Sequence, residues 1–471
     1  MAVMMKPFDA GWFYVEKPDA PAHFGPLIIL SLPVDAPPTY VRDLVEQWRQ
    51  CQQFQAPFNY LLRRRLWPSW QVLPDDEIDL EYHFRHSALP APGGERELGT
   101  LISRLQSYRL DRRRPLWECH VIEGLENRRF AIYLKLHHGQ LDGMGAARLI
   151  ARIFSEDPAQ RGAMPPWCVG MSTARRKTET ARSEVGPAVQ AGSRTGRRPR
   201  IGWLPRLLSL GKAVMALSRL KRDARSGRHP DLAAPFQAPA TPFNGRIGSQ
   251  RRFATQRYEL SRLKAVARAG GVTINDVFLA ISGGALRRYL GELGAIPAQS
   301  LVGQVPVSVR PSGDASVGNS IAFIYARLRS DIADPVARLH AVRASMEAGK
   351  ARHEALPASA IDTFTLLLVG PYMMQIILGL GGYLRPSANL VISNVTGPRQ
   401  RLYFNGARVE QIYGPSVLFH GQALNITMSS YVDEINIGFT GCRSSLPSMQ
   451  RLAVYTGEAL EELEAALGIA L

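Results

Sequence analysis

Residues 129–156, RFAIYLKLHHGQLDGMGAARLIARIFSE, run from an apolar strand through a short polar turn into a helix. The first ten residues are an apolar run that favours β structure, and GMGAARLIARIFSE places small residues and then a Leu/Ile face at helical spacing. Upstream, ECHVIEGL is a second apolar run, separated from the first by Glu126, Asn127 and Arg128, which predicts a strand pair with a tight turn. The turn after the second strand carries His137, His138, Asp142 and Gly143. Strand alternation sends neighbouring side chains to opposite faces, so at most one histidine faces a given cavity and the other supports it from behind. A histidine titrating near neutrality suits general-base chemistry. Asp142, just before the helix, is placed to cap it or to hold an arginine in a buried pair.

Outward from this unit, residues 1–170 mix helix and strand. GPLIILSLP (25–33) is a predicted strand, and 39–53 and 98–110 are predicted helices. Residues 171–200 are rich in Arg, Ser, Thr and Gly and read as a mobile linker. The stretch 201–228 has apolar residues at helical spacing and collects Lys and Arg toward its end. It suits an amphipathic helix at a lipid surface or one docked between domains. From about 235 to 471 the chain is again mixed, with predicted strands in LVGQVPVSV, SIAFIYARL, ANLVISNV, LNITMSSY and EINIGFT, helices from Ser261 and near Thr273, and a closing helix over 446–470. The expected units are therefore 1–170, 171–234 and 235–471, since 471 residues exceed one ordinary core.

The net charge of +17 is concentrated in one segment. Residues 171–228 hold fifteen Lys/Arg and three Asp/Glu, a net of +12, which leaves about +5 for the other 413 residues and calls for no nucleic-acid partner. The four cysteines form no CxxC pair, which argues against a zinc site or a disulfide framework and suits a reducing compartment. The opening MAVMMKPFDAGWF has no long apolar run, so no secretory signal is expected. Residues 363–385 are uncharged until Arg385, but Pro371, Gln375 and four glycines favour a buried or interfacial helix over a spanning one. His83 and His86 have ligand-like spacing without a completing acid or Cys cluster, and Cys119 and His120 point apart on a strand, so no metal site is expected.

A bare His-His pair is more often structural than catalytic. The full HHxxxDG pattern after PLWECHVIEGL is more specific, and it resembles the signature of the CoA-dependent acyltransferase superfamily, which includes chloramphenicol acetyltransferase and peptide-synthetase condensation domains. Further stretches resemble, in order, the motifs of bacterial wax ester synthase/diacylglycerol acyltransferases: DLEYHFRHSALPAPGG, FNGRIGSQRRFA, VTINDVFLA, VPVSVRP, NLVISNVTGPRQRLYFNGA and GQALNITMSSY. The resemblance runs from about Pro7 to the C-terminal helix and is weakest over 171–230. It implies an α/β fold of two chloramphenicol-acetyltransferase-like lobes with mixed sheets, joined by a long crossover linker, with the active site in a tunnel between them.

The resemblance also implies long-chain acyl transfer from acyl-CoA to a fatty alcohol or diacylglycerol. His138 is then the general base, His137 and Asp142 support it, and no acyl-enzyme forms. Acyl-CoA enters as co-substrate, with no cofactor and no metal. Gly143, Asn275 and Asp276 become candidate substrate-binding or oxyanion positions. Asn275 and Asp276 equally suit a helix cap and a lobe-packing contact. Thr396 stands where the family usually has proline, and PAHFG where it often has PMHVG, so His23 is expected to be structural. The expected location is the cytoplasm, peripherally on the inner face of the membrane or on lipid inclusions, as a monomer or homo-oligomer. Two alternatives stay open: a condensation-type enzyme with an amine or small-metabolite acceptor, and a non-enzymatic lipid-surface binding protein.

Overall fold

The computed structural model describes all residues except 1, 6, 64–66, 172–202, 227–228, 309–320, 357 and 470–471. The predicted linker over 171–200 therefore lies outside the described residues, Met171 apart. Two mixed sheets organise the rest. The first contains β2 (His23–Phe24), β3 (Leu27–Ser31), β6 (Phe84–Ala88), β7 (Trp117–Leu125), β8 (Arg129–His137), β13 (Tyr403–Phe404) and β14 (Ala407–Tyr413), in the order β13-β14-β3-β8-β7-β6 with β2 also on β8. The second has the order β11-β10-β12-β15-β16-β9, from β9 (Arg251–Glu259), β10 (Val302–Ser308), β11 (Ile321–Arg327), β12 (Leu390–Val395), β15 (Leu424–Tyr431) and β16 (Glu434–Cys442). A small third sheet joins β1 (Ala2–Met4), β5 (Ser69–Val72) and β4 (Tyr60–Arg63). Each large sheet mixes parallel and antiparallel pairs, as expected for this α/β class.

The central hairpin forms where the sequence predicts it. Asn127 and Arg128 turn the chain from β7 to β8 with φ of 60° and 54°, the left-handed values that a tight hairpin favours. Arg128 is held there by its guanidinium, which donates to the carbonyls of Pro33, Val34 and Ala36. Helices α1 (Pro7–Val15), α2 (Tyr40–Arg49), α3 (Glu95–Ser107) and α4 (Gly143–Ile153) accompany the first sheet. The apolar stripe of α2, Val41, Leu44, Val45 and Trp48, closes a core with Ile28, Ile132, Leu134 and Leu149.

Helix α3 joins the lobes. β9 is an edge strand, whose outer amides would otherwise lack partners. Ser103 Oγ accepts from the Phe253 amide at 2.8 Å, and Ser107 Oγ accepts from the Arg251 amide at 2.9 Å. The lobes are also linked by chain that the expected boundary at 235 assigns to the second unit. β14 pairs antiparallel with β3, so the first sheet is completed from residues 403–413. Tyr431 on β15 anchors that excursion, its hydroxyl donating to Val409 O and accepting from Leu402 N.

The second sheet is packed by α6 (Leu260–Ala269), α7 (Ile274–Glu292), α8 (Pro335–Glu354) and α10 (Arg451–Ala466), which share one large core. The basic stretch forms α5 (Trp203–Arg225) and the apolar one α9 (Ala358–Ile377). Ala213 and Leu220 of α5 are buried in a cluster with Phe364 and Leu368 of α9, so one side of this helix docks on the second lobe. Phe364, Leu368, Tyr372 and Ile376, four residues apart, form the buried stripe of α9. The helix stops at Ile377, and the chain turns through Gly379 and Gly382 at φ of 75° and 80°. Gly382 also has no room for a side chain, since a Cβ would lie 2.8 Å from the Arg246 amide. Among the described residues no single helix is long and apolar enough to cross a membrane.

Candidate active site

β8 delivers the two histidines to opposite surroundings, as the alternation predicts. His137 follows Tyr133 and Lys135 on one face, and His138 follows Leu134 and Leu136 on the other. His137 is buried, at 1% exposure, under the ring of Phe13, which stacks on it at 4.3 Å. Its Nδ1 accepts a hydrogen bond from the Gly139 amide at 3.0 Å. Its Nε2 lies 3.8 Å from Glu16 Oε2. Burial lowers the His137 pKa, against the opposing pull of Glu16, so the ring is neutral at pH 7. Burial alone would raise the Glu16 carboxyl, but His137 and Arg112 bring it down to about 2.

His138 lies among rings. Trp12 stacks on it at 3.9 Å with planes 13° apart, and Phe24 approaches at 4.5 Å. Its amide donates to Ala22 O at 2.8 Å. Its Nδ1 is buried without a hydrogen-bond partner, Nε2 makes no hydrogen bond among the described residues, and the residue as a whole is half-buried. Burial lowers its pKa to about 3, with a smaller opposing effect from a bond to its own backbone. Burial therefore keeps the imidazole neutral at pH 7. On the same face of β8, Ile132 and Leu134 line a wholly apolar pocket with Ile28, Trp48, Leu149 and Ile150.

The turn after the pair is organised by Asp142, which resolves the two readings of that residue. Its Oδ1 accepts from the Gly145 amide at 2.7 Å and caps α4, and among the described residues it makes no ion pair with an arginine. Gly143 opens the helix with nothing within 4 Å of where a Cβ would be. Gly139 has the opposite constraint, since a Cβ there would meet Phe13 at 2.5 Å.

Asn275 and Asp276 fall in the first turn of α7. Asp276 Oδ2 accepts from the Thr273 amide at 3.0 Å, while Thr273 Oγ1 accepts from the Asp276 amide at 3.3 Å, which is a capping box. Asn275 Oδ1 accepts from Asn394 at 3.4 Å, a contact within the second lobe and not between lobes. Among the described residues no hydrogen bond or ring contact ties either to the histidine pair. Gly397, beside Thr396, is needed for close approach: a Cβ would sit 2.0 Å from Ser430 O.

His23 is buried and bonded to Gln106 O at 3.1 Å, opposite His137 in the β2–β8 pairing. His83 stacks on Trp117 and bonds its carbonyl, whereas His86 lies 3.3 Å from Glu123. The surroundings supplied by Trp12, Glu16, Phe24, Arg112 and Phe419 are absent from the sequence expectations. Arg112 lies in DRRRPLW just before β7, and a cluster of arginines abutting an apolar strand was the available signal.

Comparison with known proteins matches this architecture. Residues 5–278 match the wax ester synthase/diacylglycerol acyltransferase catalytic domain, and residues 317–464 match the C-terminal domain of the same family. The chain is 39% identical to the O-acyltransferase WSD of Acinetobacter baylyi, over 98% of this chain and 96% of that protein. It is 41% identical to a Mycobacterium tuberculosis protein named by inference as a diacylglycerol O-acyltransferase, over 98% and 97% of the two chains. The structure of the wax ester synthase/diacylglycerol acyltransferase from Marinobacter aquaeolei VT8 superposes with a TM-score of 0.77 at 35% identity, covering 99% of this chain and all of that one. The first condensation domain of the calcium-dependent antibiotic synthetase shares the fold, with a TM-score of 0.56 at 16% identity, covering all of this chain and 97% of that one.

Proposed function

The chain belongs to the wax ester synthase/diacylglycerol acyltransferase family, and on that premise we propose how it transfers a long-chain acyl group from acyl-CoA to the hydroxyl of a fatty alcohol or diacylglycerol. The observation that carries the mechanism is the half-buried, neutral His138 ring packed against Trp12 and Phe24, whose Nε2 makes no hydrogen bond among the described residues. Nε2 takes the hydroxyl proton as the oxygen attacks the thioester carbonyl. The tetrahedral intermediate collapses, the C–S bond breaks, and the thiolate of CoA recovers the proton from His138. Ester and CoA leave, and no acyl-enzyme forms. Burial makes the free imidazole a weak base, but the oxyanion developing beside it stabilises the imidazolium in the transition state. The Gly143 and Met144 amides, at the open front of α4, are the donors for that oxyanion. Asp142 supports them as the cap, and His137 supports the base from behind. Asp276 and Asn275 shape the start of α7.

A lipid acceptor also suits the path to His138. Leu366, Leu378 and Tyr383 are 70%, 63% and 71% exposed on α9 and the turn after it, and Met374 and Leu380 are exposed beside them. On its inner side α9 contributes Tyr372 and Ile376 to a cluster with Phe419, and Phe419 stacks on Trp12, the ring that covers His138. α5 adds exposed Val214 and Met215 next to Lys212 and Arg219. The protein is accordingly read as attaching peripherally to a membrane face or lipid inclusion, where the acceptor is dissolved.

The test is release of free thiol from palmitoyl-CoA with hexadecanol and then with dipalmitoylglycerol. Acceptor-dependent release is expected, and its rates rank the two alcohols. Release with an amine acceptor but with neither alcohol would contradict the reading. In flotation with anionic vesicles, changing Leu378 and Tyr383 to Ser should weaken binding, and unchanged binding would contradict the lipid-facing assignment.

A further inference from the structure

We propose that Glu16 is a positioning residue that holds the turn around His138 by fixing the tautomer of His137; the inference rests on the reading of His138 as the base. A carboxylate with 1% side-chain exposure is costly to bury and is retained only where it is paired. Glu16 spends its two oxygens on three partners. Oε2 accepts from Arg112, whose Nε lies at 2.7 Å, and faces His137 Nε2 at 3.8 Å. Oε1 accepts from the Ala22 amide at 3.2 Å.

The geometry determines which nitrogen of His137 carries the proton. The Gly139 amide donates to Nδ1, so Nδ1 has no hydrogen, and in the neutral ring the proton is on Nε2. Nε2 is the atom that faces the Glu16 carboxylate. With the opposite tautomer, two N–H groups would meet at Gly139 and a bare lone pair would face the carboxylate. Glu16 disfavours that arrangement.

Two consecutive amides around the base are held through this one carboxylate. His138 N donates to Ala22 O, and the Ala22 amide is bonded to Glu16. Gly139 N donates to His137 Nδ1, and the far side of that ring faces Glu16. The backbone on both sides of the His138 side chain is thus tied to a residue that need not touch substrate. Phe13 reinforces the arrangement by stacking on His137 and filling the space beside Gly139.

The experiment is a double-mutant cycle on kcat with Glu16→Gln, His137→Gln and the pair, alongside His138→Ala in the same assay. Glu16→Gln should lower kcat by at least about tenfold with KM for acyl-CoA nearly unchanged, because misplacing a base costs rate and not binding. In the His137→Gln background the same change should have almost no further effect on kcat. Equal losses of kcat in both backgrounds, or a loss of thermal stability without loss of kcat, would reduce Glu16 to a structural ion pair and overturn the proposal. Nitrogen NMR of labelled histidine in the unmodified protein tests the tautomer independently, even if the variants fail to fold. Protonation at Nδ1 of His137 contradicts the proposal, and protonation at Nε2 supports it. An active His138→Ala would instead overturn the base assignment. An inactive His138→Ala without coupling between Glu16 and His137 would sink only the present inference.

Discussion

The two faces of β8 differ more than their adjacent histidines suggest. On the His137 face polar groups find close partners: Lys135 donates to Tyr108 O at 2.6 Å, Tyr133 accepts from Gln106, and His137 accepts from Gly139 at Nδ1 while its Nε2 faces Glu16 at 3.8 Å. On the His138 face, Leu134 and Leu136 lead to a ring sandwiched by aromatics with an unbonded Nε2. One face gathers charged and hydrogen-bonded groups around a ring bonded at Nδ1, and the other surrounds a ring whose nitrogens make no hydrogen bond among the described residues. The same residue type thus acquires different work from one step along a strand.

Breaking the His137 face should have the largest stability effect. Arg112→Ala leaves Glu16 buried without its cation and should destabilise the protein by about 3–5 kcal/mol, read by denaturant unfolding. Gly139→Ala pushes a methyl group into Phe13 and should cost about 1–3 kcal/mol, with near-UV circular dichroism reporting the displaced ring. Asp142→Ala removes the α4 cap and should cost about 1 kcal/mol.

Acid sharpens the same contrast. Glu16 and Glu118 both have folded pKa values of about 2: burial opposes ionisation, but His137 and Arg112 in one case and His120 and Lys135 in the other override it. Their contribution is complete above the ordinary carboxylate range and is lost as pH falls toward about 2. Burial lowers His83 to about 4 and His138 to about 3, so the unfolded chain binds their protons first and stability falls from pH 6.5 downward. Both effects have one sign, and Tm should decline steadily from pH 7 to pH 4. The smallest expected effect is on catalysis: because His138 stays neutral, kcat/KM should show no acid limb near pH 6.5. A limb there would mean that the base titrates as an exposed histidine.

Much of this arrangement is local and therefore legible in the sequence. The β7–β8 hairpin, the helix from Gly143 and the opposed histidines follow from spacing within a short stretch of chain, whereas the choice of Asp142 as a cap needed the structure. The ordered motifs extend that to the two-lobed fold, which the structural match bears out. Long-range partners carry no such periodicity. Glu16 reaches His137 from the end of α1, and nothing in KPFDAGWFYVEK says that its last acid turns inward. ARVEQIY is not among the predicted strands, and only the register with β3 reveals that it completes the opposite lobe. The Asn275–Asp276 pair carried two readings because a cap and an oxyanion donor need the same residues at a helix start, and the capping box that Asp276 makes with Thr273 is visible only in the structure.

The most direct measurement is acceptor-dependent thiol release by His138→Ala and His137→Ala side by side, each with folding checked by circular dichroism. Removing a general base should cost about 10²–10⁴ in rate, so His138→Ala should be nearly inactive while folded, and His137→Ala should lose less activity and more stability. If His138→Ala keeps its rate and His137→Ala loses it, the two faces have been assigned the wrong way round.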